Sequence, residues 1–360
     1  MMAMRVLIAA GGTGGHIYPG IAVAKEIMRR DADSVVRFVG TARGLEKRLV
    51  PDAGFELSLI ESMGLKNVGL AGKVRGLLLL PRSFLAARSL IKEFGPHVVV
   101  GAGGYVSGPV LLMAAMMKVP TLVMDSNALP GFTNRVLARF VDSAAVTFEK
   151  ALPYFRGKGV VTGNPVRREF FEILPRSRST ESFNVLIFGG SQGARGINLG
   201  VVAALPYLEA KRDVLHVTHQ TGELDYEMVH AAYLKTGWNA DVRKYISDMV
   251  GEFAQADLVI SRAGATTCAE LAAAGKAAIM VPLPTAADDH QRKNAEALQA
   301  EGAALMILQK DLTGEMLAKE ITSLLSDPDR VTRMEVASRK LARDDAATAT
   351  VGIIERLSQK

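Results

Sequence analysis

A histidine at the end of a glycine-rich turn is the first group in the chain that could do chemistry. Residues 11–16 read Gly-Gly-Thr-Gly-Gly-His, after an apolar run and before a helix-like stretch that starts at Ile17. Backbone N–H groups and the dipole at such a helix start form a site for anions such as phosphate. The dipole also disfavours imidazolium, so a neutral His16 could accept a proton. The alternative is that His16 only orders the turn or hydrogen-bonds a substrate.

Three further glycine-rich turns follow apolar strands elsewhere in the chain. They fall at residues 101–108, 189–195 and 261–266, and the turn at 189–195 repeats the opening strand-turn-helix pattern about half a chain later. One such turn is a weak signal for phosphate binding, but four in one chain reinforce each other. At the first turn the third glycine of a dinucleotide fingerprint is replaced by Ile17, so no nicotinamide or flavin cofactor is expected.

Polar side chains near these turns could contact a sugar nucleotide. Glu270 lies one turn into the helix after residues 261–266, where its carboxylate could accept hydrogen bonds from two ribose hydroxyls. Gln291 opens a later helix and Asn127 follows an apolar strand, so both could reach sugar hydroxyls. The alternatives are a solvated carboxylate for Glu270 and a cap for Asn127, which are the commoner roles of these residue types.

Metal and disulfide chemistry have no support in the residue pattern. No group of His, Cys and carboxylates has metal-site spacing, so no metal is expected. An Asp-x-Asp at Asp31 and Asp33 falls in a helix-to-strand loop and is predicted to be a solvated turn. The single cysteine, Cys268, excludes an internal disulfide and fits a reducing cytoplasm. Lys and Arg number 43 against 37 Asp and Glu, a net charge of +6 that favours anionic partners.

The elements that must position these groups alternate along almost all of the 360 residues. Apolar strand-like runs alternate with helical periodicity, and the pattern predicts seven strands in the first half and six in the second. It predicts an α/β fold of two Rossmann-like, doubly wound parallel-sheet domains that face a shared cleft. The predicted domains are 1–162 and 163–345, followed by a helix over 346–360. No apolar run is long enough to span a bilayer.

One segment combines a solid apolar run with basic residues at its edges. It begins at Leu65, ends at Phe84 and includes Lys66, Lys73 and Arg82. A cationic rim around exposed leucines would dock onto anionic lipid headgroups. The alternative is a buried core helix with solvated ends. The basic cluster is too short and too poor in aromatic residues to indicate nucleic-acid binding.

Five motifs, in this order and spacing, match one family closely. They read Gly-Gly-Thr-Gly-Gly-His-Ile-Tyr-Pro-Gly at 11–20, Gly-Gly-Tyr-Val-Ser-Gly-Pro at 103–109, Gly-Asn-Pro-Val-Arg at 163–167, Gly-Gly-Ser-Gln-Gly-Ala-Arg at 189–195 and Ser-Arg-Ala-Gly-Ala-Thr-Thr-Cys-Ala-Glu at 261–270. The chain resembles the peptidoglycan N-acetylglucosaminyltransferases that convert lipid I to lipid II. The resemblance covers nearly the whole chain and implies the two-domain glycosyltransferase fold, GT-B.

The resemblance implies an inverting reaction at the cytoplasmic face of the inner membrane. GlcNAc would pass from UDP-GlcNAc to the muramyl 4-hydroxyl of undecaprenyl-diphospho-MurNAc-pentapeptide, lipid I, on a peripheral membrane enzyme. For the segment from Leu65 to Phe84, the resemblance also favours membrane docking over the alternative of a buried core helix. By the same resemblance, the helix over 346–360 returns to the first domain.

Inverting transfer needs a base that deprotonates the attacking hydroxyl, and His16 is the candidate for that role. Carried over position by position, the resemblance implies a set of substrate contacts. Ser191 is expected at the donor diphosphate, Glu270 at the ribose, and Ile246 at the uracil. The donor contacts it implies are Thr13, Gly14, Gly15, Asn127, Arg167, Ser191, Ile246, Ala265, Thr266, Thr267, Cys268, Ala269, Glu270 and Gln291. For the acceptor diphosphate it implies contacts from Gly14 and Gly15. The second glycine-rich turn could hold the same diphosphate through Gly103, Gly104, Tyr105 and Ser107, and the alternative there is a purely structural turn.

Two other functions stay open at the level of sequence. A UDP-GlcNAc 2-epimerase would share the fold and the nucleotide sugar, but it would need acid and base carboxylates in the cleft. A peripheral membrane protein that binds nucleotides without turnover is the second. At one position, His290, some relatives carry Gln, and this side chain is either a sugar contact or a spectator.

Overall fold

The chain forms two compact units. The computed structural model describes residues 3–42, 44–62, 70–127, 129–176, 182–286 and 289–359, without the side chains of residues 70–80. Unit 1 comprises Met1–Arg167 and Asp344–Lys360, and unit 2 comprises Arg168–Arg343. The sequence placed these two boundaries after residues 162 and 345.

Unit 1 is built on a sheet of seven parallel strands in the order β3-β2-β1-β4-β5-β6-β7. Its strands are β1 (Arg5–Ala10), β2 (Val35–Gly40), β3 (Glu56–Leu59), β4 (Val98–Gly103), β5 (Thr121–Asp125), β6 (Ser143–Val146) and β7 (Gly159–Val161). Its first five helices are α1 (Gly14–Arg30), α2 (Glu46–Asp52), α3 (Leu70–Phe94), α4 (Ser107–Met116) and α5 (Phe132–Leu137), with a 3-10 helix at Glu149–Phe155.

Unit 2 is built on a sheet of six parallel strands in the order β10-β9-β8-β11-β12-β13. Its strands are β8 (Phe183–Phe188), β9 (Leu215–Gln220), β10 (Ala240–Arg243), β11 (Leu258–Ser261), β12 (Ala278–Met280) and β13 (Ala304–Met306). Its α-helices are α6 (Arg195–Ala204), α7 (Tyr226–Lys235), α8 (Met249–Gln255), α9 (Ala265–Ala274), α10 (His290–Ala300), α11 (Gly314–Leu325) and α12 (Pro328–Lys340). Its 3-10 helices are Arg168–Phe170, Leu205–Lys211 and Gln309–Asp311.

Both faces of the unit 1 sheet are buried, which explains the unbroken apolar run in β1. Val6 and Ile8 pack on one face in a core that includes residues of α1. Leu7 and Ala9 pack on the other face against residues of α3 and α4. Parallel sheets covered on both sides have such continuous apolar strands. The prediction of two doubly wound parallel sheets is confirmed, including seven strands in the first and six in the second.

The strand order of each sheet reverses direction at one point. In unit 1 this switch point lies between β1 and β4, and in unit 2 between β8 and β11. The four glycine-rich turns predicted from the sequence follow these same four strands. Ligands of open α/β sheets bind beyond the carboxyl ends of the strands at a switch point. The topology therefore groups the four turns into two pairs, one in each unit.

For most of the segment from Leu65 to Phe84 the structure describes no side chains. Residues 63–69 are not described, and from residue 70 the backbone belongs to α3, whose side chains are described from residue 81. Its docking interpretation and the buried-core alternative both stay predictions. Among the described residues, no helix combines the length and the apolar character needed to cross a bilayer.

The final helix, α13 (Ala346–Ser358), packs on unit 1. Glu26, on α1, accepts hydrogen bonds from Arg29, Arg30 and the Thr348 hydroxyl of α13. Arg30 also forms an ion pair of 2.8 Å with Glu355 of α13. Hydrogen bonding from Arg29 is the largest cause that lowers the pKa of Glu26 to about 2, against the opposing effect of burial. A carboxylate therefore joins the first and last helices of unit 1.

Replacing Glu26 by Gln is expected to lower the free energy of unfolding of unit 1 by about 1–3 kcal/mol at pH 7, because charged hydrogen bonds are lost. The pKa is depressed in the folded state, so this stabilisation is fully present above the unfolded value of about 4.3 and is lost as the pH falls toward 2. Urea unfolding at pH 7 and pH 3 measures both effects.

The matched control is Glu56→Gln, which breaks an ion pair with Arg37 whose carboxylate side is 72% exposed. Its effect should stay below about 1 kcal/mol. A Glu26→Gln variant as stable as the wild type at pH 7 would contradict this account of α13.

Candidate active site

The turns that end β1 and β4 pack directly against each other. A Cβ at Gly104, where φ is +81°, would overlap the Gly11 carbonyl, and one at Gly103, where φ is +122°, would overlap the His16 ring. Both positions therefore require glycine. The structure in this way brings His16 together with two of the predicted acceptor residues.

His16 lies in the first turn of α1, half-buried against the end of β4. Burial lowers the pKa of the imidazole, and a hydrogen bond to the Ala102 carbonyl opposes that shift only in part. The ring is therefore neutral at pH 7, with one nitrogen donating to Ala102 and the other carrying a lone pair. This is the state that a general base requires.

The start of α1 presents an anion site beside His16. Thr13 is the extended N-cap residue, and its side chain makes no capping hydrogen bond. The N–H groups of His16 and Ile17 donate to the Thr13 carbonyl at 3.1 and 3.3 Å. The Gly14 N–H and the exposed Thr13 hydroxyl are therefore the groups best placed to meet an anion at the positive end of the helix dipole.

Ser107 and Tyr105, both predicted to contact the acceptor, have different environments. The Ser107 hydroxyl is 1% exposed, lies 2.8 Å from the carbonyls of Ala9 and Gly103, and accepts the Gly103 N–H. It holds the turn in place from within the protein and does not face solvent. The Tyr105 side chain is 57% exposed.

Asn127 is held in a turn at the end of β5. The buried carboxylate of Asp125 accepts the N–H of Asn127 at 2.9 Å, the N–H of Gly131 at 3.2 Å and the Asn134 side chain at 2.8 Å. Burial raises the pKa of Asp125, and these hydrogen bonds oppose the shift. Asn127 therefore lies in a turn that Asp125 holds, and its half-buried side chain lies at the same edge of the sheet as the glycine-rich turns. The N-cap of the helix that follows is Gly131, so Asn127 does not have the cap role that the sequence left open.

Arg167, the last residue of the first segment of unit 1, lies against α1. Its guanidinium carbon is 4.3 Å from the centroid of the Tyr18 ring, a cation–π contact. Tyr18 lies two residues beyond His16 on the same helix, so the contact joins the end of this segment to the helix that carries the candidate base. The donor contact predicted for Arg167 stays a prediction.

In unit 2 a buried glutamine connects two predicted donor-binding segments. Gln220, at the end of β9, donates to the Gly190 carbonyl at 2.8 Å and accepts the Ile246 N–H at 2.8 Å. Gly190 precedes Ser191 in the turn after β8, where Gly193 closes the turn by donating to the Gly190 carbonyl. One side chain therefore fixes the turn of Ser191 relative to the backbone of Ile246.

A buried polar network lies behind this turn. Asn198 donates to Asp225 at 2.9 Å and meets His219 at 3.1 Å, while His219 meets the Tyr233 hydroxyl at 3.2 Å. Arg195 completes the network through a 2.6 Å ion pair with Asp225. Burial lowers the pKa of His219 to about 3, so this histidine stays neutral and serves the packing of the unit.

Helix α9 begins directly after β11 with Gly264 as its N-cap, so no side chain caps its first N–H groups. Asn294 holds the preceding loop by donating to the Ala263 carbonyl at 3.0 Å. Glu270 is 7% exposed, and burial raises the pKa of the Cys268 thiol to about 12, which leaves that thiol inert. The half-buried predicted residues of this helix start are Ala265, Thr266, Thr267 and Ala269.

Gln291 lies in the first turn of α10 and is partly committed to the backbone. Its side-chain oxygen accepts the Leu283 N–H at 3.0 Å, so its amide NH₂ is the group that could reach a sugar. The neighbouring His290 begins the helix, and its two predicted roles stay predictions.

The Asp-x-Asp of the sequence lies at the end of α1. Asp31 is the C-cap residue, and its side chain accepts the Asp33 N–H at 3.0 Å. Within the described ranges, no three His, Cys, Asp or Glu side chains come together as a metal-binding group.

Sequence reasoning missed two buried residues that hold the glycine-rich turns, Glu46 and Gln220. Glu46 accepts the Gly12 N–H at 2.9 Å from its place at the start of α2. Glu46 follows β2 and Gln220 ends β9, and each of these strands is adjacent to a switch-point strand. Each residue also has a glycine two positions away in the sequence. A polar residue beside glycine at the carboxyl end of a parallel strand was the available signal.

Comparison with known proteins places each unit in a family. Residues 6–146 match the glycosyltransferase family 28 N-terminal domain, and residues 184–350 match the glycosyltransferase family 28 C-terminal domain. A protein of Anaeromyxobacter sp. (strain Fw109-5) is 48% identical over 99% of this chain and 94% of its own length. It is named UDP-N-acetylglucosamine–N-acetylmuramyl-(pentapeptide) pyrophosphoryl-undecaprenol N-acetylglucosamine transferase.

Solved structures agree in fold. The crystal structure of Acinetobacter baumannii MurG is 32% identical, with a TM-score of 0.74 over 98% of this chain and 99% of that one. A UDP-GlcNAc 2-epimerase from Neisseria meningitidis, solved with UDP-GlcNAc, has a TM-score of 0.70 over 98% of this chain and 100% of its own. At 13% identity the epimerase shares the fold alone.

Two doubly wound parallel sheets with paired glycine-rich turns at their switch points, together with the matches to both family 28 domains, define a glycosyltransferase of the GT-B type. The chain belongs to glycosyltransferase family 28, among the UDP-N-acetylglucosamine–N-acetylmuramyl-(pentapeptide) pyrophosphoryl-undecaprenol N-acetylglucosamine transferases. The family resemblance seen in the sequence is confirmed.

Replacing Gln220 by Leu is expected to lower the free energy of unfolding of unit 2 by about 1–3 kcal/mol, because the buried Ile246 N–H loses its acceptor and the Gly190 carbonyl loses one of its donors. Amide hydrogen exchange at Ile246 should accelerate, since that N–H loses its acceptor. Urea unfolding and exchange followed by mass spectrometry measure the two effects.

The matched control is Gln299→Leu, which removes an exposed glutamine that also accepts a backbone N–H, from Met306 at 2.8 Å. Its effect should stay within about 0.5 kcal/mol. Unchanged exchange at Ile246 in Gln220→Leu would show that the glutamine does not hold that loop.

Proposed function

We propose that the protein transfers GlcNAc from UDP-GlcNAc to the muramyl 4-hydroxyl of undecaprenyl-diphospho-MurNAc-pentapeptide. Lipid I is thereby converted to lipid II with inversion at the sugar carbon, at the cytoplasmic face of the cell membrane. The observation that carries the proposal is the neutral imidazole of His16, held between the glycine-rich turns of β1 and β4. Membership of the transferase family supports the same substrates.

His16 supplies the base in this proposal. Its lone-pair nitrogen takes the proton of the muramyl 4-hydroxyl, and that oxygen forms a bond to carbon 1 of GlcNAc. The bond from carbon 1 to the donor diphosphate breaks, and UDP leaves with the electron pair. The Ala102 carbonyl accepts from the other ring nitrogen and stabilises the imidazolium that forms.

The acceptor diphosphate is proposed to bind at the start of α1. Thr13, Gly14 and Gly15 form that helix start, and Gly103 and Gly104 form the adjoining turn with exposed Tyr105 beside it. Backbone N–H groups and the helix dipole favour an anion there. Ser107 acts on this site through the turn, because its hydroxyl is buried.

The donor is proposed to bind unit 2 along the turn of Ser191 and the start of α9. The N–H groups of these two helix starts would stabilise the negative charge that develops on departing UDP. Ile246 would meet the uracil through its carbonyl, because its N–H is held by Gln220. Glu270 would accept from the ribose hydroxyls. The remaining proposed donor contacts are Asn127, Arg167 and Gln291, together with the rest of residues 265–269.

The first test is transfer of labelled GlcNAc from UDP-GlcNAc to a short-chain lipid I analogue. The wild type should form the β-linked disaccharide lipid and UDP. His16→Ala should lower kcat by about 10²–10⁴-fold, the range for loss of a general base, with UDP-GlcNAc affinity unchanged. Because the pKa of His16 is lowered, the wild-type kcat should decrease only at acidic pH, with a midpoint below the usual histidine pKa of about 6.5.

The products separate the outcomes of this test. An epimerised sugar nucleotide would point to the epimerase reaction, and binding without turnover would point to a non-enzymatic protein. Transfer that survives His16→Ala would keep the transferase function and remove His16 from the role of base. An acidic limb that persists in the variant would show that another group titrates.

We propose, in addition, that unit 1 docks on anionic lipid through a described surface next to the segment from Leu65 to Phe84. Exposed apolar side chains lie on α3, α4 and α5, which pack in that order, and in the turn after α5: Leu85, Met116, Phe132, Val136 and Phe140, between 46% and 69% exposed. Exposed Arg135, on α5, and Arg139, in the turn after it, alternate with these apolar residues. Apolar side chains flanked by arginine suit a bilayer surface with anionic headgroups.

Replacing Phe132 and Phe140 by Ser should reduce binding to phosphatidylglycerol-containing vesicles at least about tenfold, because two aromatic side chains no longer enter the lipid. The binding of the wild type should also weaken with added salt. Vesicle co-sedimentation measures both. The control is Leu224→Ser, which removes a 94% exposed leucine from unit 2. Unchanged binding by a folded double variant would exclude this surface.

A further inference from the structure

Glu46 places a buried carboxylate against the inner side of the glycine-rich turn that carries His16. One carboxylate oxygen accepts the Gly12 N–H at 2.9 Å. The other accepts both the N–H and the hydroxyl of Thr41 at 2.8 Å. The residue is fully buried. An internal anion thus joins the end of β2 to the turn after β1.

Glycines in the surrounding backbone leave the space that the Glu46 side chain fills. A Cβ at Gly40 or Gly44 would overlap the Glu46 side chain, and one at Gly11 would lie 2.9 Å from its oxygen. The Gly12 carbonyl also accepts the Leu45 N–H, so the loop before α2 and the turn hold each other through two hydrogen bonds. The carboxylate is therefore an integral part of the turn, not a surface group that folds over it.

This contact determines which N–H groups of the turn a substrate can use. The Gly12 N–H already donates to the Glu46 carboxylate, so the acceptor diphosphate has to bind to the N–H groups at the start of α1 instead. Like charges repel, and a diphosphate would be excluded from the side that Glu46 occupies. Because Gly11 contacts Gly104 and His16 contacts Gly103, a shift of residues 11–12 would also move the imidazole relative to the acceptor.

We propose that Glu46 is a positioning residue for the transfer reaction. By fixing the turn at residues 11–12, it holds His16 and the start of α1 where both can contact the acceptor. The inference rests on the proposed function. Glu46 touches neither reactant and acts through Gly12 and Thr41. Misplacement of reacting groups by about 1 Å can cost about a hundredfold in rate.

Glu46→Gln tests the proposal with a side chain of the same shape. A glutamine has one accepting oxygen, so either the Gly12 N–H or the Thr41 N–H must face its NH₂ group. The KM for the lipid I analogue should rise about tenfold or more and kcat should fall, while the affinity for UDP-GlcNAc changes less than about threefold. Thr41→Val, which removes one donor and keeps the N–H, should shift the acceptor KM in the same direction by a smaller factor.

The matched control is Asp52→Asn, which removes an exposed carboxylate from the same short helix and should leave all constants unchanged. Wild-type acceptor KM and kcat in folded Glu46→Gln would overturn the proposal. If that variant does not fold, Thr41→Val decides, and an unchanged acceptor KM there overturns it. A wild type without transfer activity would instead overturn the proposed function, and this inference with it.

Discussion

The parallel pairing of β1 with β4 is the constraint on which the candidate base depends. These strands are distant in sequence, yet Ala10 is in register with Gly103, so their two turns emerge side by side at one edge of the sheet. The turns approach so closely that only glycine fits at residues 103 and 104. In unit 2 the pairing of β8 with β11 repeats the arrangement and aligns the turn of Ser191 with the start of α9.

Glycine allows these turns to form but does not hold them in one conformation. In both units, a side chain at the equivalent position of the sheet fixes the turn. In each unit this buried polar side chain lies at or after the carboxyl end of the strand next to the first switch-point strand. That strand is β2 in unit 1 and β9 in unit 2. Glu46, after β2, accepts an N–H from the turn, whereas Gln220, at the end of β9, donates to a carbonyl. Buried backbone groups need partners, so these side chains satisfy the turns and fix them together.

The local sequence pattern was enough to predict the thirteen described strands and the four turns, because apolar strands and glycine-rich turns can be recognised from a few consecutive residues. The polar contacts that hold the turns were not predictable in this way. Glu46 is 34 residues from Gly12 and Gln220 is 30 residues from Gly190, and only the strand order brings each pair together. Ser107 was predicted to contact a ligand, but its hydroxyl donates to backbone carbonyls, and one of these belongs to Ala9, which is 98 residues away in sequence.

The return of α13 to unit 1 has a consequence for the order of folding during synthesis. Val351 and Ile354 complete a core that begins with Val6, so unit 1 cannot bury that surface until the end of the chain has been made. Unit 2 is continuous in sequence, from Arg168 to Arg343, and has its whole core available earlier. Domains generally fold as units while the chain emerges. Unit 2 therefore has a complete core to fold around before unit 1 does, and part of the apolar face of the first sheet has no cover until α13 has been made.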